Sequence, residues 1–453
     1  MQSSSHTLDR LQVSFDDPHL VANAGLLLPA TLAQQLGLRE LVEYHVDLGQ
    51  APGRANVGPK AMTLVQSMLA GGDSIDDADV LRAGATRTVL GHAVLAPSTL
   101  GTFLRSFTFG HVRQLDAVSR DALVRAWSAG MSPGDQPLTI DLDSTICETY
   151  GLAKQGVGFG YTKVRGYHPL LATRAETGEV LHSRLRGGSA HTARGAVGFL
   201  RETFARVVEA GASGLITLRA DSGFYSQKVL TTCRRAGVRF SITAQLDQAV
   251  QRVIAAIPED AWQPIPYWST SGGTFGYDDQ GLPVSGADVA ECQYTAFGKW
   301  GLHLRLIVRR VRPTPGTQLA LFTEFSYHPF ATDREGSTLD LEADHRAHAQ
   351  VETAIRDLKE GSGLAHLPSG RFAANAAWLA LATLAHNLAR WVTGLGLPDQ
   401  LAARTTADRL RRCLFSIPGR RTRSARKVHL HLPQGWPWAT LFLNALGRLR
   451  LLT

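Results

Sequence analysis

The chain has 453 residues, 47 of them Lys or Arg and 39 Asp or Glu, so its formal net charge is +8. A hydrophobic share of 44% and a charged share of 19% are typical of a soluble globular protein with two or three domains. The four cysteines lie far apart and have no ligand spacing, so we expect neither a disulfide framework nor a structural zinc site. The first residues have no charged-then-apolar leader, and we therefore expect a cytoplasmic protein without a signal peptide.

Positive charge is concentrated near the C-terminus. Residues 401–453 contain eleven Lys or Arg and one Asp, a net charge of 11 − 1 = +10, so the rest of the chain carries 8 − 10 = −2. This excess favours a polyanionic partner. A solvated basic tail is the alternative, although the basic residues alternate with Leu, Phe, Ile and Pro.

Residues 20–130 have the spacing of several short helices, with Ser98 and Thr99 as candidate N-caps of one of them. Such a bundle is compatible with DNA binding, and generic helical packing explains the pattern equally well. From residue 137 the pattern becomes three strands followed by helix, strand, helix and strand, which predicts an α/β fold with a mixed sheet.

Residues 248–325 are rich in β-branched and aromatic residues and predict a β-rich insertion. Helical spacing returns at residues 344–360, with Asp344 as the expected N-cap. The apolar stretch at 373–392 contains Asn, His and Arg, so it predicts a buried helix and not a membrane span.

Three carboxylates are candidates for one metal site. Asp143 and Asp221 each follow a predicted strand, and strand ends in α/β sheets commonly meet at one edge. Glu352 lies on the later helix, with His345, His348 and Lys359 near the same face. Such a set could hold two Mg²⁺ ions for in-line phosphoryl transfer. The spacing alone does not decide this, because strand-end Asp residues are often turn residues or helix caps, and Glu352 could simply pair with a nearby arginine.

Five ordered motifs carry a resemblance that is more specific than the spacing: DLDST, GYTKVRGYHPLLA, LRGGSAHTARGA, LRADSGFYS and VETAIRDLKEG. Together they resemble the bacterial insertion-sequence DDE transposases, DDE domain group 1, distant relatives of the piggyBac group. The resemblance implies a ribonuclease H-like core with a β-rich insertion, an α-helical N-terminal domain and a helical basic C-terminal region. It also implies that Asp143, Asp221 and Glu352 are the catalytic metal ligands, with Asp141 as the alternative to Asp143.

The related signature has Tyr and Arg at seven and four residues before the Glu, whereas this chain has His345 and His348 there. A neutral imidazole cannot replace the bidentate fork of arginine on a phosphate, and Arg346 is an alternative donor. The expected DNA contacts are Lys359, Arg346, His348, Lys163, Arg165, Arg184, Arg186, Arg420, Arg421 and Arg423. Aromatic residues that could stack on DNA bases are Tyr161, Tyr167, Trp262, Trp268 and Trp300, although the tryptophans could equally be core residues.

The resemblance therefore predicts a transposase that cuts at the inverted-repeat ends of an element and joins the 3′-OH to target DNA. We expect two Mg²⁺ ions per site, with Mn²⁺ as a substitute, and a homodimer on double-stranded DNA in a synaptic complex. Alternatives are a ribonuclease H-like nuclease without strand transfer and a domesticated, non-catalytic DNA-binding protein. The predicted divisions are an end-binding domain at 1–132, the catalytic domain at 133–247 and 326–395, the insertion at 248–325 and the basic region at 396–453.

Overall fold

A computed structural model describes residues 11–151, 153–160, 163–265, 276–277, 283–284, 286–298, 301–312, 325–398 and 400–452. The N-terminal part is helical, as the sequence predicted, after one short strand. Its elements are β1 (Leu20–Val21), α1 (Leu27–Gln35), α2 (Leu38–His45), α3 (Val57–Leu69), α4 (Ala78–Arg82), α5 (Arg87–Leu90), α6 (Pro97–Arg105) and α7 (Phe109–Ala126).

The middle of the chain alternates strands and helices. Its elements are β2 (Leu138–Ser144), β3 (Cys147–Glu148), β4 (Gly158–Phe159), β5 (Arg165–Tyr167), β6 (Leu170–Arg174), β7 (Val180–Arg184), α8 (Ala196–Glu209), β8 (Ile216–Ala220), α9 (Gln227–Arg235), β9 (Arg239–Thr243) and α10 (Gln248–Ala255). This order confirms the predicted α/β pattern.

The rest of the chain begins with strands and ends with a helix. Its elements are β10 (Gln263–Pro264), β11 (Gly276–Tyr277), β12 (Pro283–Val284), β13 (Ala287–Ala296), β14 (Leu302–Val311), β15 (Ser326–Thr332), α11 (Thr338–Arg346), α12 (Gln350–Gly361), α13 (Phe372–Gly396), α14 (Ala407–Leu410), β16 (Gly419–Ser424), β17 (Lys427–His431) and α15 (Ala439–Arg450).

Nine strands form one mixed sheet in the order β10-β13-β14-β15-β9-β8-β2-β6-β7. β2, β8 and β9 are parallel, and β6, β7 and β15 join them in antiparallel pairing. The strands of the predicted insertion therefore extend the central sheet through β15. A small core of Ile265, Val289, Ile307 and Phe330, together with Leu341 of α11, lies on this extension.

Helix α13 is the main helical support of the sheet. It packs against α3, α7 and α15 and against β7, and nearly all its residues are buried, including Trp378 and Trp391. This confirms the predicted buried helix at 373–392. Within the described part of the chain, no helix combines the length and the apolar character needed to cross a membrane.

Two predicted helix starts are wrong. The helix expected from Asp344 begins earlier, at Thr338, because Ser337 accepts a hydrogen bond from the backbone N–H of Asp340 and caps it. Asp344 instead lies inside α11. In the N-terminal part, α6 has Pro97 in its first turn and Ala96 as N-cap, so neither Ser98 nor Thr99 caps it. The fixed φ of proline suits the first helical turn, and proline has no backbone N–H there that would need a cap.

The basic C-terminal region is only partly helical, which corrects the sequence-based prediction. Its arginine-rich stretch is a hairpin of β16 and β17, joined to β1 at the N-terminus in a three-stranded sheet. The two-residue turn at Ala425 and Arg426 needs a positive φ of 52° at Ala425. Hairpin turns of this kind usually have Gly or Asn there, so the sequence lacked its strongest turn signal.

Candidate active site

Adjacent parallel strands place Asp143 and Asp221 side by side. In the β2–β8 ladder, Leu142 is paired with Ala220, and continuing that register by one residue brings the two aspartates opposite each other. Neighbouring strands lie about 4.8 Å apart, so the two carboxylates start from adjacent backbone positions. The strand ends therefore meet at one edge of the sheet, as their sequence positions predicted.

The same face of the sheet carries a buried ion pair, which lies two residues earlier on each strand. Asp141 is paired with Arg219 in the β2–β8 register, two residues before Asp143 and Asp221. The guanidinium donates from Nε to Asp141 Oδ1 at 2.8 Å and from Nη2 to Oδ2 at 2.9 Å. Side chains two residues apart on a strand point to the same face, so the ion pair lies directly behind the carboxylate pair.

Helices α11 and α12 cover this face. Arg219 also donates to the backbone oxygen of Asp344 in α11 at 2.6 Å. His345 bonds the hydroxyls of Ser241 and Thr243 of β9 at 2.9 and 3.1 Å. These contacts anchor the end of α11 on the strands. A short 3-10 turn at Ala347–Ala349 then separates α11 from α12, and Glu352 lies in the first turn of α12.

The electrostatics of Asp143 link the three predicted carboxylates. Burial raises the pKa of Asp143 to about 6, against a hydrogen bond from the backbone N–H of Ser144. The negative charges of Asp221 and Glu352 raise this pKa further. Burial also raises the pKa of Asp221, although its Oδ1 accepts a hydrogen bond from Gly223 N–H at 3.0 Å. The charges of Asp221 and Glu352 therefore both repel the carboxylate of Asp143, which a bound cation would relieve.

The donor set fits a divalent cation on chemical grounds. Three carboxylates from three separate elements offer only oxygen ligands, the type that Mg²⁺ and Mn²⁺ bind. Asp141, the alternative to Asp143, is held inside the fold by its own partners. Burial would raise its pKa, but hydrogen bonds from His348 and Arg219 outweigh burial and lower it, so both oxygens are committed as acceptors.

The family profile described as transposase DDE domain group 1 matches residues 4–453, almost the whole chain. The chain belongs to this family. Among curated proteins no relative matches. Among solved structures, the chain is similar to a piggyBac transposase in a synaptic complex with hairpin DNA, with a TM-score of 0.46 and 10% identity. That similarity covers 87% of this chain and 79% of the other chain.

One of the other predicted cations of the transposase, Lys359, lies near the site. Lys359 of α12 donates from Nζ to the backbone oxygen of Ile146, just after β2, at 2.7 Å. Arg165 of β5 donates to the backbone oxygen of Gly151. Lys163 has a positive φ of 57°, which marks a tight turn before β5. The structure therefore places Lys359 beside the end of β2, and the roles of all three cations in DNA binding stay predictions.

Two arginines have internal contacts, Arg186 in the LRGG motif and Arg184 just before it. Arg186 is buried, which lowers its pKa to about 10, and it donates to the backbone oxygens of His168, Thr192 and Arg194 at 2.6–3.0 Å. It thereby fixes the loop after β7. Arg184 bonds the carboxylate of Glu202 at 2.6 Å. Neither contact excludes DNA binding by these residues, but both show a structural role that the sequence did not reveal.

His168, between β5 and β6, contacts the end of β2. Its Nε2 lies 2.9 Å from the hydroxyl of Ser144, and its Nδ1 lies 2.9 Å from the backbone oxygen of Ala190. His168 is buried, and its charge when protonated would lower the pKa of Asp221. It therefore supports the strand end at Asp143 from the loop side.

The remaining predicted contacts lie away from the carboxylates or on α11. Arg346 bonds Glu342 one turn earlier at 3.1 Å. Arg420, Arg421 and Arg423 lie on β16. Trp262 stacks under the guanidinium of Arg310 at 4.3 Å and packs on the core, which favours a structural role. Tyr161, Trp268 and Trp300 lie outside the described residues.

A second group of metal-ligand side chains lies elsewhere. Among the described residues, Asp116, His182 and Glu202 form a group whose ligand atoms lie within 4.8 Å of one another. Three arginines already bond its two carboxylates: Arg113, Arg184 and Arg206. Because three positive charges face two negative ones, a divalent cation would have to displace established ion pairs. The charges favour a structural network in place of a metal site.

Proposed function

We propose that this transposase cuts DNA at the inverted-repeat ends of its element and joins the liberated 3′-OH to target DNA. Asp143, Asp221 and Glu352 would hold two Mg²⁺ ions in a ribonuclease H-like core. The observation that carries the proposal is the β2–β8 register, which puts Asp143 and Asp221 at adjacent strand ends, together with the influence of the Glu352 charge on the pKa of Asp143. Bound ions would supply charge neutralisation at the scissile phosphate and activation of the attacking oxygen.

The residues of the chain then have separate tasks. Asp143 and Asp221 are fixed by the β2–β8 register, and Glu352 approaches from α12, so the three ligands come from independent rigid elements. The Asp141–Arg219 pair holds β2 and β8 together behind the ligands. Both chemical steps would use ionised carboxylates, because only that form binds a cation well. Two copies of the chain in a synaptic complex would bring both element ends together.

A plasmid assay separates this function from its alternatives. The substrate is a supercoiled plasmid that carries the element with its natural flanking DNA, incubated with the full chain and Mg²⁺. We expect excision of the element and its insertion into a second plasmid. The Asp221→Ala variant is the control and should bind the ends without cutting them.

The reaction products also distinguish the proposed function from each alternative. Cutting without insertion would favour a nuclease without strand transfer. End binding without cutting, by a folded wild-type protein with either Mg²⁺ or Mn²⁺, would favour a domesticated DNA-binding protein. Cutting by Asp221→Ala at the wild-type rate would contradict the proposed metal site.

A further inference from the structure

Two arginines that follow α13 bond opposite ends of helix α12, which packs against β2 and carries Glu352 in its first turn. Arg404 donates from Nη1 to the backbone oxygen of Gln350, the first residue of the helix, at 3.3 Å. Arg411 donates from Nη1 to the backbone oxygen of Gly361, the last residue, at 2.6 Å. The two contacts have the same chemistry, but they lie about 16 Å apart along the helix axis.

Arg404 also joins the helix to the sheet. Its Nη2 donates to the backbone oxygen of Ala175, a buried residue that directly follows β6. The backbone N–H of Ala175 in turn donates to the backbone oxygen of Thr139 in β2 at 2.9 Å. One guanidinium therefore links the first residue of α12 to a turn that is itself bonded to β2, the strand of Asp143.

Helix stability does not explain a cation at this end of α12. A positive charge interacts favourably with the helix dipole near the C-terminus of a helix and unfavourably near the N-terminus. Arg411 therefore lies at the favourable end of α12, whereas Arg404 lies at the unfavourable end. A link that fixes the first turn of α12 on the sheet explains the position of Arg404.

We propose that Arg404 is a positioning residue, which holds the first turn of α12 and the Glu352 side chain against the edge of the sheet. The inference rests on the proposed function, in which Glu352 acts with Asp143 and Asp221. Because Glu352 follows Gln350 by only two residues, a shift of the first turn would move its carboxylate directly. A misplacement of about 1 Å can slow an enzymatic step by on the order of 100-fold.

Cleavage of a DNA duplex that carries the element end and its natural flank tests this role in the full chain. The rate is measured in a single turnover with Mg²⁺ and saturating protein, so that DNA affinity does not limit it. Arg404→Ala should cut about 10- to 100-fold more slowly than the wild type. Its end binding should be unchanged, and its unfolding in urea nearly so. Arg404→Lys should also be slow, because an ammonium does not reproduce the planar fork of the guanidinium.

A rescue experiment and a matched control separate positioning from general loosening of the helix. Methylguanidinium should restore part of the rate of Arg404→Ala, because it can occupy the place of the missing side chain, and it should not accelerate the wild type. Arg411→Ala removes the same kind of contact at the far end of α12. This control should lower the free energy of unfolding and cut at nearly the wild-type rate.

Three results would overturn the inference alone while Glu352→Ala abolishes cutting and the proposed function stands. The first is a wild-type cleavage rate for Arg404→Ala, and the second is an equal loss of rate for Arg411→Ala. The third is weaker end binding by Arg404→Ala with a smaller salt dependence, which would assign Arg404 to a phosphate contact. If Glu352→Ala itself cuts at the wild-type rate, the proposed role of Glu352 and this inference both fail.

Discussion

Asp141 and Asp143 are two residues apart on one strand. Because their surroundings differ, their ionised carboxylates have opposite effects on the stability of the fold. Asp141 has two cationic or hydrogen-bonding partners, and its pKa is lowered against the effect of burial. Asp143 has negative neighbours, and burial raises its pKa to about 6. At neutral pH the ionised Asp143 therefore destabilises the metal-free fold, whereas the ionised Asp141 stabilises it. Such a cost is expected at a site built to bind a cation.

This contrast predicts opposite outcomes for two substitutions. Asp143→Asn should raise the free energy of unfolding by about 1–2 kcal/mol at pH 7 without divalent ions, because it removes a buried charge that Asp221 and Glu352 also repel. Asp141→Ala should lower it by about 3–5 kcal/mol, because it leaves Arg219 buried without its partner. Urea unfolding of both proteins gives the comparison. Equal destabilisation by the two variants would show that the carboxylates do not differ in this way.

His345 predicts a dependence of stability on pH. Burial, aided by the positive charges of His348 and Arg219, lowers the pKa of His345 to about 3. Between that value and the unfolded pKa of roughly 6.5, the unfolded chain binds more protons than the folded one. Stability is therefore present above pH 6.5 and is lost as the pH falls through this window.

The variant His345→Gln should remove this contribution. Between about pH 4 and 6.5, the unfolding free energy of the variant should change less with pH than that of the wild type. The two slopes should differ by at most about 1.4 kcal/mol per pH unit. Urea unfolding at several pH values measures the slope. The His366→Gln variant, at an exposed histidine, serves as control and should keep the wild-type slope. If His345→Gln also has the wild-type slope, His345 does not cause the pH dependence.

At the scale of elements, the β16–β17 hairpin is the clearest candidate for a DNA contact. Arg421 and Arg423 share one face of the hairpin with Val428 and Leu430, and Arg420 lies on the other. Arg420 and Arg423 are exposed, and Arg420 also lies 3.3 Å from Asp17. A two-stranded ribbon of this kind fits a DNA groove, and both faces offer cations to phosphates.

Replacing Arg420, Arg421 and Arg423 by Ala should weaken end binding and reduce its salt dependence. Each lost phosphate contact lowers the slope of log K against log salt by about 0.9, so the slope should fall by about 2–3. The matched control replaces three exposed arginines on α8, α9 and α10, namely Arg201, Arg235 and Arg252. An unchanged slope in the hairpin variant, or an equal loss in the control, would argue against a hairpin contact.

The elements also show where sequence reasoning reaches its limit. Asp143 and Asp221 could be predicted because parallel strand ends meet at one edge, and a resemblance fixed the choice. The placement of His348 could not be predicted, because the sequence pattern indicated one continuous helix, whereas a 3-10 turn separates α11 from α12. The Asp141–Arg219 pair needed the strand register, which is set by long-range pairing. The hairpin was missed because its turn uses Ala425 where Gly or Asn is usual.

At the scale of the whole molecule, one buried carboxylate joins three parts of the chain. Glu179, between β6 and β7, accepts hydrogen bonds from the indole N–H of Trp127 at 3.1 Å and from that of Trp391. Trp127 directly follows α7, and Trp391 lies on α13. A continuous hydrophobic core likewise includes residues of the N-terminal helices, the sheet and α15. We therefore expect these parts to unfold together.

The substitution Glu179→Leu tests this coupling. It leaves two buried indole N–H groups without an acceptor, at a cost of about 1–3 kcal/mol each. The N-terminal helices and the sheet should lose stability together, which hydrogen exchange followed peptide by peptide can measure. Glu179→Gln keeps one acceptor oxygen and should cost less. Faster exchange confined to the N-terminal helices would show that they unfold independently.

The most direct test of the metal site is cleavage of an element end by Asp143→Cys and Asp221→Cys proteins with Mg²⁺ or Mn²⁺. A thiolate is a poor ligand for Mg²⁺ and a better one for softer ions. We predict that both variants bind the DNA, fail to cut it with Mg²⁺ and recover part of the activity with Mn²⁺, while Asp116→Cys, at the arginine-bonded cluster, shows no such metal dependence. Cutting by the Asp143→Cys or the Asp221→Cys protein at the wild-type rate with Mg²⁺ would contradict the assignment of that aspartate as a metal ligand.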